Sequence, residues 1–264
     1  MPSEHYFASF SRRDDNYLLW SHYANNHKGY CLIFRLRQGK LVQHPELYRE
    51  GLSYITPKGV FPKMTMSVNR EFEMKDVEYL EKPESIDAFL CFPIAVYGEE
   101  CSEEQLEKHR TEYNNVYLKK HSVWEYEEES RLVLSSGISW LAGRDLFASE
   151  YQRLFHYDST QLVGIVLGAK MPESQKRRIK EIISDKIEGW YKGTEGEKII
   201  SDFIIFEERL TENNRSIEIE PIEIRSGVQV YDKTHIDFEK RYSKWNEGEA
   251  IRISGTTSER IIVK

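Results

Sequence analysis

Read as a pattern of apolar and polar positions, the chain first shows a strand. His5 to Phe10 interleaves aromatic and small residues with the period of two expected of a half-buried strand. The period then changes. Trp20, Tyr23, Ala24 and His27 recur at i, i+3, i+4 and i+7, one face of a helix beginning near Tyr17. Asp14, Asp15 and Asn16 offer cap oxygens for it, and Gly29 is a natural stop. Tyr30 to Leu36 is apolar and β-prone and predicts a buried strand, followed by a turn at Gly39.

Further on, Leu52 to Thr56 predicts a strand closed by Pro57, and Val68 to Leu80 is assigned a helix ended by Pro83. The apolar run Ile86 to Val96, interrupted by Pro93, fits either type. Ser102 and Gln105 form an S-x-x-Q capping box, opening a helix to about Lys120 with Leu106, Tyr113, Tyr117 and Leu118 as its stripe. Ser130 to Ser135 and Leu154 to Tyr157 predict strands. Leu162 to Leu167 (LVGIVL) is a short buried strand. Pro172 then stands in the first turn of a helix over about Glu173 to Lys192, with Ile179, Ile182, Ile183 and Ile187 on one face.

Phe203 to Glu208 and Ser216 to Ile222 predict paired strands turning at Glu212 to Asn214. Past Gly227 the pattern weakens: strands at Val228 to Tyr231, Ile251 to Ser254 and Arg260 to Val263, and a loop at Trp245 to Gly248. No internal repeat or low-complexity linker interrupts the chain. The expectation is one α+β domain over 1–226, a mixed or antiparallel sheet with flanking helices. Residues 227–264 are expected to form a β-rich or loosely ordered C-terminal appendage.

Composition sharpens this only in places. With 39% hydrophobic and 31% charged residues among 264, a normal core is within reach and global disorder is not expected. The aromatic share of 12% favours a β-containing fold with an aromatic-lined surface or core. A net charge of -7 gives no basic footprint, so nucleic acid is not indicated as a partner. Cys31, Cys91 and Cys101 form no C-x-x-C pair, which suits a reducing compartment. The N-terminus has no signal-peptide pattern, and no apolar run approaches the length of a membrane span. The expectation is a soluble cytoplasmic protein that does not engage a membrane.

A Gly-rich phosphate loop, a G-x-S-x-G elbow and an H-E-x-x-H helix are all absent. Candidate chemistry concentrates in two stretches. In Trp124 to Leu134 (WEYEEESRLVL), a strand would place Glu127, Glu129 and Arg131 on one face. Two adjacent carboxylates repel, and an arginine partly relieves them, leaving a polar cluster suited to a ribose diol or to orienting a nucleophile. The competing reading is a solvent-facing strand edge with a structural ion pair.

The other stretch supplies Ser9 and Ser11 near a strand end, then Trp20, His22, Tyr23 and His27. Trp and Tyr rings can sandwich a nicotinamide or adenine, and a Ser hydroxyl or His can bind its amide. The competing reading makes Trp20, Tyr23 and Ala24 the core face of the helix. The two stretches are expected to line one nucleotide pocket. Glu71, Glu73 and Lys75 contain the carboxylate-x-Lys pair of metal-dependent nucleases, though a solvated helix face is the commoner reading, and no metal site is assigned. Lys176 to Arg178 is read as a solvated helix face.

Phe-Ser at Phe10-Ser11, Trp20-Ser21-His22-Tyr23-Ala24 and His27-Lys28-Gly29 resemble the signature of an uncharacterised bacterial domain-of-unknown-function family. Its second signature, Trp-x-Tyr-Glu-x-Glu-x-Arg, is matched by Trp124, Tyr126, Glu127, Glu129 and Arg131. The resemblance extends from residue 5 to about 170. The resemblance implies that members usually carry a further N-terminal portion, after which this sequence is expected to start.

The layout is also similar to that of ADP-ribosyltransferases, and the resemblance implies an ADP-ribosyltransferase-like fold with NAD as substrate. On that analogy Glu129 is the catalytic carboxylate, holding the nicotinamide ribose hydroxyl, while Glu127 orients the acceptor and Tyr23 stacks on nicotinamide. The implied setting is a bacterial defence or toxin component. The alternative is a non-catalytic module that binds a nucleotide or a partner protein.

Overall fold

The computed structural model describes residues 5–45, 47, 51–54, 64–67, 70–82, 102–135, 149–192, 202–211, 216–248 and 260–263. In chain order its elements begin with β1 (His5–Ser11), α1 (Tyr17–Tyr23), β2 (Tyr30–Arg35), β3 (Lys40–Val42), β4 (Gly51–Tyr54) and β5 (Met64–Ser67). Next come β6 (Glu71–Glu73), β7 (Lys75–Asp76), β8 (Glu78–Leu80), α2 (Glu103–Asn115), β9 (Lys119–His121) and β10 (Glu129–Ser135). The remainder is α3 (Glu150–Arg153), β11 (Leu162–Leu167), α4 (Glu173–Lys192), β12 (Phe203–Leu210), β13 (Ile217–Ser226), β14 (Gln229–Asp232), α5 (Phe238–Asn246) and β15 (Arg260–Val263). The fold class is α+β, with mixed and antiparallel sheet and flanking helices.

The chain divides into two compact units: Met1–Ser9 with Val42–Tyr157, and Phe10–Leu41 with Asp158–Lys264. The second unit is built on a mixed sheet. β14 pairs β13, β13 pairs β12, β11 pairs β2 and β2 pairs β15, all antiparallel, while β11 and β12 run parallel. A parallel neighbour needs a crossover, and α4 supplies it between β11 and β12.

Alternation along these strands gives each face its own apolar layer. Ile33, Val166, Ile204, Phe206 and Ile224 pack with Trp20 of α1 and with Phe238 and Trp245 of α5. Ile165, Leu167, Phe203 and Ile205 pack with Ile183 and Ile187 of α4. Pro221 is accommodated in β13 because the ladder shifts register there, Ile205 opposing Glu223 and Phe206 opposing Pro221. The first unit contains smaller ladders: β10 antiparallel to β7, β8 parallel to β9, and β4 antiparallel to β5.

Several elements differ from the sequence reading, each for a local reason. The helix expected over Val68 to Leu80 is absent; the described part of that stretch forms the short strands β6, β7 and β8, of which β6 pairs β3, while β7 and β8 pair β10 and β9 some forty or more residues further on. The helix opened by Ser102 ends at Asn115, passes through a 3₁₀ turn at Val116–Leu118 and becomes β9, so Lys119 and Lys120 are strand residues. Its capping box is present, with Gln105 N–H on Ser102 Oγ at 3.2 Å and Ser102 N–H on Gln105 Oε1 at 2.9 Å.

Leu154 to Tyr157 is not a strand; a second capping box, Ser149 with Gln152, nucleates the single turn α3 just before it. Trp245 is not in a loop but near the end of α5, 1% exposed. Gly227 starts the turn into β14, with φ at 59°, and β14, α5 and β15 all belong to the second unit. The Ile86 to Val96 run, the turn at Glu212 to Asn214 and the Ile251 to Ser254 strand lie outside the described residues.

Candidate functional site

The two dense stretches fall mainly into different units. Ser9, Trp124, Glu127, Glu129 and Arg131 belong to the first; Ser11, Trp20, His22, Tyr23 and His27 belong to the second.

In the first unit, Ser122–Glu127 is a 3₁₀ helix rather than part of a strand. Glu128 closes it in the left-handed region, φ 41°, with its N–H on Glu125 O at 3.0 Å. β10 begins only at Glu129. Glu127 therefore does not share a strand face with Glu129, as the sequence suggested. The turn brings the two carboxyl groups together by another route.

Both carboxyls meet on one ammonium. Lys120 Nζ donates to Glu127 Oε2 at 2.7 Å and to Glu129 Oε2 at 2.8 Å. Arg131 grips Glu129 from its own strand face, Nε to Oε1 at 2.9 Å and Nη2 to Oε2 at 3.2 Å. Arg131 Nη1 also donates to the Tyr117 carbonyl. The Phe7 ring lies 4.5 Å from the Arg131 guanidinium, and the Trp124 ring 5.2 Å from Lys120 Nζ. The backbone of Glu129 is fixed too: its N–H donates to Tyr79 Oη at 2.7 Å and its carbonyl accepts from Val77 N–H at 2.9 Å. Ser130 Oγ donates to Asp76 Oδ1 at 2.6 Å.

Glu127 is 0% and Glu129 3% exposed, so the electrostatics are those of a dry site. Burial by itself pushes the Glu129 carboxyl up, but hydrogen bonds from Arg131, Lys120 and Ser9 outweigh it and bring it from 4.5 down to about 2. Burial likewise disfavours the Lys120 cation, and the bonds to Glu127 and Glu129 reverse that, raising Lys120 above its ordinary value. The Tyr79 hydroxyl is raised, first by burial and further by the nearby carboxylate charge of Glu129. The group is a pair of carboxyls matched by two cations, rimmed by the half-exposed Trp124 and by Tyr126, whose ring lies 6.0 Å from it.

Sequence reasoning missed Lys120 and Tyr79. Lys120 sat inside an expected helix, where its side chain had no reason to face residues seven and nine positions on. The one available signal was the basic pair Lys119-Lys120 just ahead of an acidic run.

In the second unit, Asn16 caps α1, its Oδ1 accepting from Leu18 N–H at 2.9 Å and Leu19 N–H at 3.4 Å. Trp20 is core, 3% exposed, its Nε1–H on the Asp14 carbonyl at 2.6 Å. His22 and Tyr23 are exposed at the end of the helix. Ser11 is buried and accepts from Arg13 N–H at 3.1 Å.

His27 is not on the helical face. α1 ends at Tyr23, and Asn25, Asn26 and His27 follow with φ of 49°, 54° and 66°. That left-handed run turns His27 inward, where it is 0% exposed and bonded through Nδ1 to Glu208 Oε1 at 2.5 Å. Gly29 closes the turn with its N–H on Ala24 O at 2.7 Å.

Glu71 and Glu73 are exposed on β6, and Lys75 Nζ lies 4.0 Å from Glu73. Among the described residues no group of three or more His, Cys, Asp or Glu side chains is placed to hold a metal ion. Among the same residues no helix is long and apolar enough to cross a membrane.

The fold and the site thus define an α+β protein in which a half-buried Lys120 joins buried Glu127, Glu129 and Arg131 at the start of β10. A family model described as a protein of unknown function (DUF2971) matches residues 19–132. That span takes in Trp20 to Gly29 and the whole Trp124 to Arg131 signature, so the resemblance to an uncharacterised domain family holds, over a shorter stretch than the expected residue 5 to about 170 and without Phe10-Ser11. No curated protein and no solved structure matches the chain.

Proposed function

We propose that the Glu127–Glu129 cluster is the carboxylate site of an ADP-ribosyltransferase-like protein that uses NAD. The observation that carries the reading is Glu129 itself: it bonds Ser9 of β1, stands two residues after a second buried glutamate, and is held ionised well below neutral pH. Cleavage of the nicotinamide–ribose bond develops positive charge on the ribose, and a fixed anion in a dry site stabilises it. Glu129 would bind the ribose hydroxyl beside that charge, and Glu127 would orient the acceptor. Trp124 and Tyr126 supply rings against which a planar base can stack. The reading uses residues of the first unit alone. A cytoplasmic setting fits the buried Cys31, which is in no disulfide.

A specific observation favours a second reading. Lys120 and Arg131 already engage Glu129, and Lys120 also engages Glu127. A cluster neutralised from within suits a non-catalytic module that recognises a nucleotide or partner protein through its aromatic rim.

Incubating the protein with NAD and measuring free nicotinamide separates the two. Release by the native protein, lost in Glu129→Gln that remains folded by circular dichroism, supports the enzyme. NAD binding without release supports the module, and neither binding nor release overturns both the enzyme and the NAD-binding form of the module.

A further inference from the structure

We propose that Ser21, His27 and Glu208 form a separate reactive site, in which Ser21 is a nucleophile, His27 its base and Glu208 the group that orients the base. All three belong to the second unit, and none is among the residues used above. Ser21 Oγ lies 3.2 Å from His27 Nε2, and His27 Nδ1 lies 2.5 Å from Glu208 Oε1. The other carboxyl oxygen of Glu208 accepts from Ala169 N–H at 3.0 Å, so the carboxyl is held on both sides. With Glu208 accepting at Nδ1, the neutral imidazole carries its proton there and turns a lone pair at Nε2 toward the Ser21 hydroxyl. That is the polarity a serine nucleophile requires.

The fold goes to some length to make this contact. Three successive non-glycine residues in the left-handed region bring His27 back under α1, where its N–H bonds Trp20 O at 3.2 Å. The turn after β11 locks it there. Lys170 N–H donates to His27 O at 2.9 Å, and a Cβ on Gly168 would lie 2.3 Å from that same oxygen. A buried His–Glu pair is commonly no more stabilising than apolar residues of the same volume, so packing by itself does not explain it. His27 and Glu208 are 0% and 1% exposed, whereas Ser21 is only partly buried.

The surroundings indicate the substrate class. Tyr17 and Leu18, 40% and 44% exposed, precede Ser21 by one turn on the same helix, and the Tyr17 ring lies 4.6 Å from that of His27. An apolar rim of this kind fits an uncharged ester with a small acyl group. Ser21 Oγ attacks the carbonyl carbon while its proton passes to His27 Nε2. The ester C–O bond breaks, and the alcohol leaves with that proton. Water then attacks the acyl-serine through the same base, releasing the acid and restoring Ser21.

The test uses the full-length protein and a fluorophosphonate probe. Here Ser21 Oγ forms a bond to phosphorus, the P–F bond breaks, fluoride departs and His27 takes the serine proton. Peptide mass spectrometry is expected to place the adduct on Ser21. Ser21→Ala, at a partly exposed position, should fold normally by circular dichroism and lose the adduct together with any burst of p-nitrophenol from p-nitrophenyl acetate. Where His27→Gln folds, labelling should slow on the order of 10²-fold or more. No adduct on the native protein, an adduct at another residue only, or labelling undiminished in Ser21→Ala overturns the proposal. None of those results bears on NAD turnover at Glu129.

Discussion

Lys120 Nζ and Glu129 Oε2 are 2.8 Å apart, and the same ammonium holds Glu127 at 2.7 Å. Two buried carboxyl groups thus share one cation that arrives from β9, and Arg131 engages Glu129 as well. Removing the cation leaves both without it, which is far costlier than losing a surface pair. Lys120→Met is expected to destabilise the protein by about 3 kcal/mol. Urea denaturation at neutral pH checks this, and combining it with Glu127→Gln should recover part of the loss.

Acid should weaken the protein through Glu129. Its folded value, about 2, lies below its ordinary 4.5. A depressed carboxyl contributes its stability above the unfolded value and loses it as pH falls toward the folded one. The contribution is about 3 kcal/mol, present in full above pH ~5 and lost between there and pH ~2. Glu129→Gln should flatten this part of the stability–pH curve, measured by denaturant midpoints at several pH values.

Gly168 permits a close approach rather than a turn conformation. Its missing Cβ leaves room for the carbonyls of His27 and Gly29, which would lie 2.3 and 2.7 Å from a methyl group there. Both are backbone atoms and cannot swing aside. Gly168→Ala is expected to cost about 2–3 kcal/mol, read from the thermal or denaturant midpoint.

Trp245 ties the last helix to the sheet. Its indole N–H donates to Val163 O at 3.2 Å, its ring packs on Phe206 at 5.5 Å, and the Arg35 guanidinium lies 5.1 Å from it. Trp245→Ala is expected to cost about 3–5 kcal/mol in chemical denaturation, and Trp245→Phe less.

The sheet of the second unit was largely legible. β2, β11, β12 and β13 stand close to where their apolar runs placed them, and α4 begins immediately after Pro172. Asn16 caps α1 as its side chain allows, and Ser102 with Gln105 makes the box their spacing predicts. These signals are local: a periodic face or a capping oxygen acts within one or two turns of chain.

The site was legible only by composition. The density of Glu127, Glu129 and Arg131 marked the place, while the strand face assigned to all three was wrong at Glu127, because Glu128 adopts φ 41° and breaks the extended run. His27 was misplaced for the same reason, one left-handed turn beyond its helix.

By itself, then, the sequence determined the α+β class, most strand and helix positions in the second unit and the polar character of the β10 start, since side-chain periodicity and capping chemistry are written into neighbouring residues. The tertiary structure alone decided that Lys120 serves both glutamates and that His27 meets Glu208, 181 positions away. Such pairings depend on which strands lie side by side and on backbone angles that no residue type dictates. A buried charge finds its partner in space, and the spacing of residues along the chain does not record it.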